Sequence, residues 1–250
     1  MNNLLDNKVC LITGAGRGIG KAMAELFVEN GATVYANDAR TGCMDEWINK
    51  WNQKLPGKMH AVYFDITDEE QVKHAVMSIR RESNRIDVLV NNAGVEFNEL
   101  IGMISRKNME KMLNVNVIGV VNMLQMVSRI MQKQADGGSI INITSMTALR
   151  GNRGQLVYSA TKGAVISITK SAAKELAAKK IRVNAIAPGL TLTPMMEQAD
   201  SGKLKERIQN ICMGRLAEPI DIAKACMFLA SDLSGYVSGQ VLPVDGCTIM

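Results

Sequence analysis

Seven short runs of β-forming residues recur along the chain: KVCLIT, ATVYAND, HAVYFD, IDVLVNN, GSIINIT, IRVNAIAP and QVLPV. They are almost uniformly apolar instead of alternating, which is the pattern of strands covered by helices on both faces. Segments of helical length and period separate most of them, at 18–30, 68–82, 117–134, 159–179 and 219–230, with Pro219 suited to a first helical turn. Parallel strands need crossover connections of about this length. The expected fold is α/β: one doubly wound domain over residues 1–250, with about seven parallel strands and helices on both faces.

The residues just after each run carry the chemistry. Gly14 comes after the first, Asp38 after the second, Asp65 after the third, Asn91 after the fourth, Ser145 after the fifth and Pro188 with Gly189 after the sixth. In an open parallel sheet the carboxyl ends of the strands share one edge, and ligands bind in the crevice outside it where the strand order reverses. Six loops therefore converge on one site.

Composition excludes other classes. With 250 residues, 47% of them hydrophobic, the chain has material for one large core. The apolar runs fall short of the roughly 20 residues a membrane helix needs, and MNNLLDNKVC has neither a basic leader nor an apolar export segment. A cytoplasmic protein with no membrane partner is expected. The five cysteines form no CxxC pair and His60 and His74 lie far from them, so neither disulfides nor a metal site is expected. The net charge of +5 is spread over residues interleaved with acids, and four Phe and four Tyr make a poor base-stacking platform, so no nucleic-acid partner is expected.

TGAGRGIG, residues 13–20, joins the first strand to the first helix. Glycines there permit a tight turn, and the helix start offers free N–H groups and a positive dipole end to a pyrophosphate. By itself such a stretch can equally be only a turn. Asp38, 18 residues beyond Gly20, adds a carboxylate where an adenosine ribose diol would lie. Asp65 suits either the adenine amino group or a turn before Thr67 and Asp68. A carboxylate that binds a 2′-hydroxyl repels a 2′-phosphate, so Asp38 favours NAD(H); Arg17 and Arg40 keep NADP(H) open.

Together these residues resemble the short-chain dehydrogenase/reductase superfamily. TGAGRGIG matches its T-G-x-x-x-G-x-G, NNAG (91–94) its fourth-strand motif, Ser145 with YSATK (158–162) its catalytic signature, and PGLTLTP (188–194) its sixth-strand segment. The match spans essentially the whole chain and implies a Rossmann-type fold and an NAD(P)-dependent oxidoreductase interconverting a ketone and a secondary alcohol. The implied catalytic residues are Asn116, Ser145, Tyr158 and Lys162. The implied cofactor residues are Gly14, Arg17, Gly18, Ile19, Gly20, Asp38, Asp65, Ile66, Asn92, Ala93, Gly94, Tyr158, Lys162, Pro188, Gly189, Thr191 and Thr193. Asn92, Ala93 and Gly94 would line the adenosine side, Thr193 would bind the nicotinamide carboxamide, and Asn116 would hold a water that relays protons to Lys162.

Physics says why such a set works. Residues at i and i+4 share a helix face, so Lys162 is expected beside Tyr158, where an ammonium favours the phenolate. Bringing a phenol from about 10 to near 7 takes roughly 4 kcal/mol of differential stabilisation, for which a close cation and the oxidised nicotinamide are the sources. Ser145 would donate to the substrate oxygen where negative charge develops.

The chain most resembles the 3-oxoacyl reductases acting on acyl carrier protein. Those enzymes tend to carry a basic cluster before the fifth strand, where this chain has Lys133, Gln134, Ala135, Asp136 and Gly137; Lys174, Lys179 and Lys180 keep some positive charge nearby. A carrier-bound acyl chain is thus one candidate substrate, and a hydroxysteroid or sugar-derived alcohol another. Residues 190–213, with Leu192, Met195, Met196, Leu204 and Met213, read either as an apolar lid over it or as helix residues packing on the body. A dinucleotide-sensing scaffold without chemistry is the alternative from a different class, but it would be expected to lack Tyr158 or Lys162. The small-residue helix SATKGAVISITKSAAKELAA suggests a homo-oligomer, a tetramer by the resemblance.

Overall fold

The structure, a computed structural model, describes residues 3–192 and 208–249. All seven expected strands form: β1 (Val9–Ile12), β2 (Thr33–Asp38), β3 (Met59–Tyr63), β4 (Val88–Asn91), β5 (Gly138–Ile143), β6 (Ile181–Pro188) and β7 (Val241–Val244). They make one parallel sheet in the order β3-β2-β1-β4-β5-β6-β7, so the order reverses between β1 and β4.

The helices between them are α1 (Gly18–Glu29), α2 (Asp45–Lys54), α3 (Glu69–Ser83), α4 (Arg106–Leu113), α5 (Gly119–Met131), the short α6 (Met146–Arg150), α7 (Leu156–Leu176) and α8 (Pro219–Ala230). The uniform apolarity of the strands splits between two faces with period two. Cys10 and Ile12 of β1 and Ile141 and Ile143 of β5 enter one buried cluster with Met23 and Phe27 of α1 and Ile222 and Leu229 of α8. Val9, Leu11 and Ile140 enter the other, with Val72 and Ile79 of α3, Met123 and Val127 of α5, and Leu176 of α7.

Two helices depart from the sequence pattern. α2 buries only Ile48 among its ten residues, so its apolar signal is too narrow to read. α4 and α5 are joined by a π-turn over Asn114–Ile118, which makes Arg106–Met131 one continuous helix of 26 residues. By length and composition alone that helix is apolar enough to cross a membrane, a test that core helices also pass. Its apolar face is instead part of the core, where Met123, Val127 and Met131 are fully buried.

A buried polar chain runs under the site edge. Asn91 at the end of β4 donates to Asn142 of β5 at 2.8 Å, and Asn142 donates to the Thr169 hydroxyl of α7 at 2.9 Å. Inside a dry core such groups are costly unless paired. Asn142→Ala leaves the Asn91 amide without its acceptor, while the Thr169 hydroxyl keeps only its bond to the Val165 carbonyl. We expect it to cost about 1–3 kcal/mol, read as a lowered midpoint in urea unfolding; an unchanged midpoint would show that the chain of amides does not hold α7 to the sheet.

Candidate active site

The site lies at the carboxyl ends of β1, β4 and β5, where the strand order reverses. At its cofactor end Gly14 has φ +64°, and a Cβ on it would lie 2.7 Å from the Ala93 Cα, so the turn needs both the glycine backbone and its lack of a side chain. Asn92 holds that turn by donating to the carbonyls of Thr13 and Gly14 at 2.9 and 3.0 Å. The Thr13 hydroxyl in return accepts from the N–H groups of Asn92 and Ala93 at 3.0 and 3.1 Å. The NNAG segment is thus a clasp between β4 and the glycine loop.

α1 begins at Gly18 with no acid in its first turn and, among the described residues, no side chain capping it, whereas α3 is capped by Asp68. Open N–H groups at Gly18, Ile19 and Gly20 fit the pyrophosphate of a dinucleotide. Arg17, immediately before them, is exposed.

Asp38 ends β2 and accepts from the Gly16 N–H at 3.2 Å, which puts its carboxylate beside the loop. Arg40 grips the same carboxylate with Nε at 3.0 Å and Nη2 at 3.1 Å. Burial pushes the Asp38 carboxyl up, but the hydrogen bonds and charge of Arg40 outweigh it and hold Asp38 below the usual range. Asp65 is engaged locally, accepting from the N–H and hydroxyl of Thr67, each at 2.8 Å, as the turn alternative has it. Ile66 is buried against Gly119.

On the other side of the loop, Pro188 ends β6 and the Gly189 N–H bonds the Val244 carbonyl at 2.9 Å. Thr191 is buried, its hydroxyl on the Gly189 carbonyl at 3.1 Å. Thr193 and most of the expected lid, including Met195, Met196 and Leu204, lie outside the described residues.

The four expected catalytic residues come together at the chemical end. Lys162, 5% exposed, donates from Nζ to the Ile143 carbonyl at 2.8 Å, and the Thr144 hydroxyl donates to the Lys162 carbonyl at 2.8 Å, so α7 is fastened to the end of β5 at two points. Its Nζ lies 5.8 Å from the Tyr158 ring centre, as the i, i+4 spacing predicts. Asn116 sits in the π-turn and is fully buried. Its amide brackets the backbone of Val95, accepting from the N–H at 2.8 Å and donating to the carbonyl at 2.9 Å, and it also donates to Thr161 at 3.1 Å.

A Cβ on Gly94 would stand 3.3 Å from both the Asn116 Oδ1 and the Lys162 Nζ. Gly94 therefore stands against Lys162 and Asn116, whereas the resemblance implied only the adenosine side for it. Ser145 follows β5 and accepts from the N–H and hydroxyl of Thr147 at 3.3 and 3.0 Å, which leaves its own proton to donate toward Tyr158 or a ligand.

The electrostatics differ from the simple expectation. Burial pushes the Tyr158 phenol well above its ordinary value; the Glu96 carboxylate adds to this and the Ser145 hydroxyl opposes it. Burial likewise lowers the Lys162 ammonium from 10.5 to about 8, with Glu96 pulling it back up. A lysine bonded to a strand carbonyl does not by itself bring the phenol toward neutrality.

Sequence reasoning missed Glu96 and its partner Gln155, whose amide donates to the Glu96 carboxylate. Gln155 lies three residues before Tyr158, one turn back on the same face, and that spacing is a usable signal. Glu96 comes after NNAG in an aperiodic stretch that offers none. The residues before β5 are structural: Gln134 bonds the Ile86 N–H and carbonyl at 2.9 and 3.1 Å, and Asp136 pairs with Arg85 at 3.8 Å.

A lysine held near 8 in the folded chain and near 10.5 in the unfolded one binds fewer protons when folded, so stability rises with pH across that window. Lys162→Met should lose that rise, measured as the change in unfolding free energy between pH 7.5 and 9.5; an identical change in both proteins would refute the buried charge.

The chain matches the Enoyl-(Acyl carrier protein) reductase family model over residues 14–247. It is 44% identical to the 3-oxoacyl-[acyl-carrier-protein] reductase of Thermotoga maritima, over 97% of this chain and 98% of that protein. It is 38% identical to a 3alpha-hydroxysteroid dehydrogenase of Mediterraneibacter gnavus, over 97% of each. Among solved structures, a gluconate 5-dehydrogenase from Burkholderia cenocepacia in complex with NADP and tartrate superposes with a TM-score of 0.93 at 31% identity, covering 98% of this chain and 96% of that one. With these relatives spanning nearly its full length, the chain belongs to the short-chain dehydrogenase/reductase family and is an NAD(P)-dependent oxidoreductase that interconverts a ketone and a secondary alcohol.

Proposed function

We propose that this oxidoreductase reduces 3-oxoacyl thioesters, including those on an acyl carrier, with NADH as its preferred cofactor and Asn116, Ser145, Tyr158 and Lys162 as its catalytic set. The observation that carries the chemistry is the convergence of Tyr158, Lys162 and Asn116 beside the β5 end that presents Ser145. The substrate class rests on the 44% identity to a protein of that activity across almost the whole chain.

A nicotinamide held at this edge would supply the hydride for the carbonyl carbon. Tyr158 donates a proton to the carbonyl oxygen, and the Ser145 hydroxyl, already accepting from Thr147, donates its own hydrogen bond to the same oxygen. Lys162, anchored on Ile143, holds a positive charge beside the phenol, and Asn116 fixes the wall that faces it. Because burial raises the free phenol, proton release in the oxidative direction needs the added positive charge of the oxidised nicotinamide.

Asp38 carries the NADH preference by accepting from the ribose diol, and Arg40 neutralises it in the meantime. We further propose a cytoplasmic homo-oligomer, to which the half-exposed Leu113 and Ile118 on the α4–α5 helix offer apolar contact surface.

A second reading, oxidation of a hydroxysteroid or sugar-derived alcohol, draws on Glu96: a carboxylate beside Tyr158 and Lys162, braced by Gln155, can accept from a neighbouring substrate hydroxyl. Following nicotinamide absorbance with a short 3-oxoacyl thioester and, in reverse, with a 3-hydroxysteroid decides between the two.

Tyr158→Phe should lower kcat by a factor of at least about 10² while leaving the Kd for NADH unchanged; an equal loss in NADH binding would remove Tyr158 from the proton step. Asp38→Ala should lower the NADH-to-NADPH ratio of kcat/KM by on the order of tenfold, or about 1.4 kcal/mol, since it both deletes the diol acceptor and frees Arg40 for a 2′-phosphate. An unaltered ratio would take the preference away from Asp38.

A further inference from the structure

Three of the five cysteines are exposed, Cys43, Cys212 and Cys247, and two of these face one another. Ile211 and Thr248 form an antiparallel bridge, with the Ile249 N–H on the Asn210 carbonyl at 2.7 Å and the Cys212 N–H on the Cys247 carbonyl at 3.2 Å. The next pair along that two-stranded strap is Cys212 opposite Cys247, and the Met213 N–H closes it on the Gly246 carbonyl at 3.1 Å. Opposed residues in antiparallel pairs have Cα atoms about 4.5–5.5 Å apart, inside the roughly 4.4–6.8 Å span of disulfides.

A second observation marks the position. Cys247 has φ +58°, the left-handed region that favours glycine, so a β-carbon is kept where the backbone disfavours one. The Cys212 thiol is pushed up by loss of solvent, by the Cys247 thiol on the facing backbone and by the Asp245 carboxylate. Asp245 also accepts from the Cys247 N–H at 3.1 Å and pairs with Arg150 at 3.8 Å, tying the strap to the helix that Ser145 starts.

We propose that Cys212 and Cys247 are a modification site, forming a reversible disulfide with hydrogen peroxide as the oxidant. One thiolate attacks the peroxide, the O–O bond breaks, and a sulfenic acid and one water result. The second thiolate attacks that sulfur, a second water leaves, and the S–S bond forms; the sulfurs give up two electrons and the peroxide is reduced to two waters. The strap is solvent-exposed, so a dithiol reductant reaches the bond and reverses it. Cys10 and Cys226 are buried out of reach of the oxidant and take no part.

The test treats the full-length protein with equimolar hydrogen peroxide, counts accessible thiols and maps peptides without reduction. The expected result is a fall from three accessible thiols to one, a mass lower by two hydrogens, a Cys212–Cys247 linked peptide, and full reversal by dithiothreitol. Cys43→Ser should keep the link and Cys212→Ser should lose it. Cys247→Gly, whose residue suits the left-handed backbone, should fold and yet give no link. Separate sulfinic acids at the two positions, or links only between chains, would overturn the proposal.

Discussion

The arrangement depends on a buried ammonium placed against the end of a strand. Lys162 donates to the last carbonyl of β5 and receives at its own carbonyl from Thr144, so the helix that carries Tyr158 and the loop that carries Ser145 are fixed to each other by the same residue. A charge this deeply buried is unfavourable unless several polar neighbours meet it. The neighbours here are the Ile143 carbonyl, the Asn116 amide beyond Gly94 and the Glu96 charge. Cost and function therefore share one location, and the Asn91, Asn142 and Thr169 chain beneath it spreads the anchoring over β4, β5 and α7.

The cofactor end is organised on the opposite principle, by leaving groups unpaired. α3 is capped by Asp68, but the first turn of α1 has no cap among the described residues, so its dipole end and N–H groups stay available to an anion. The clasp from Asn92 and Thr13 holds the glycine turn in shape without using those groups. Asp38 and Arg40 form a pair already in hydrogen-bond contact, and a ribose diol and a ribose phosphate would call on opposite members of it.

The strands were legible because a doubly covered sheet writes itself as short apolar runs, and Gly14, Asp38, Ser145 and Pro188 mark their ends in the sequence. That Lys162 lies beside Tyr158 was legible through helical period, while their expected roles came from the resemblance. What was not legible depends on approach in space. Glu96 stands in an aperiodic connection, and its contact with Gln155 joins residues 59 positions apart. The direction of the Tyr158 shift could not be read either, since a neighbouring cation is visible in sequence and the burial that outweighs it is not. α2 escaped notice because it gives the core a single buried side chain.

The π-turn at Asn114–Ile118 has a consequence for how the chain tolerates change in length. A π-turn holds one more residue than the α-helical turn it replaces, and each added residue advances a helix by about 100°. α4 and α5 are therefore out of phase with one another by that amount, and Asn116 points at Val95 because of the surplus residue. Loops elsewhere on the sheet edge can lengthen or shorten by absorbing the difference in solvent. Here a one-residue deletion would yield a more regular helix and rotate the amide away from the wall it braces, so the irregular spacing is itself an encoded part of the site.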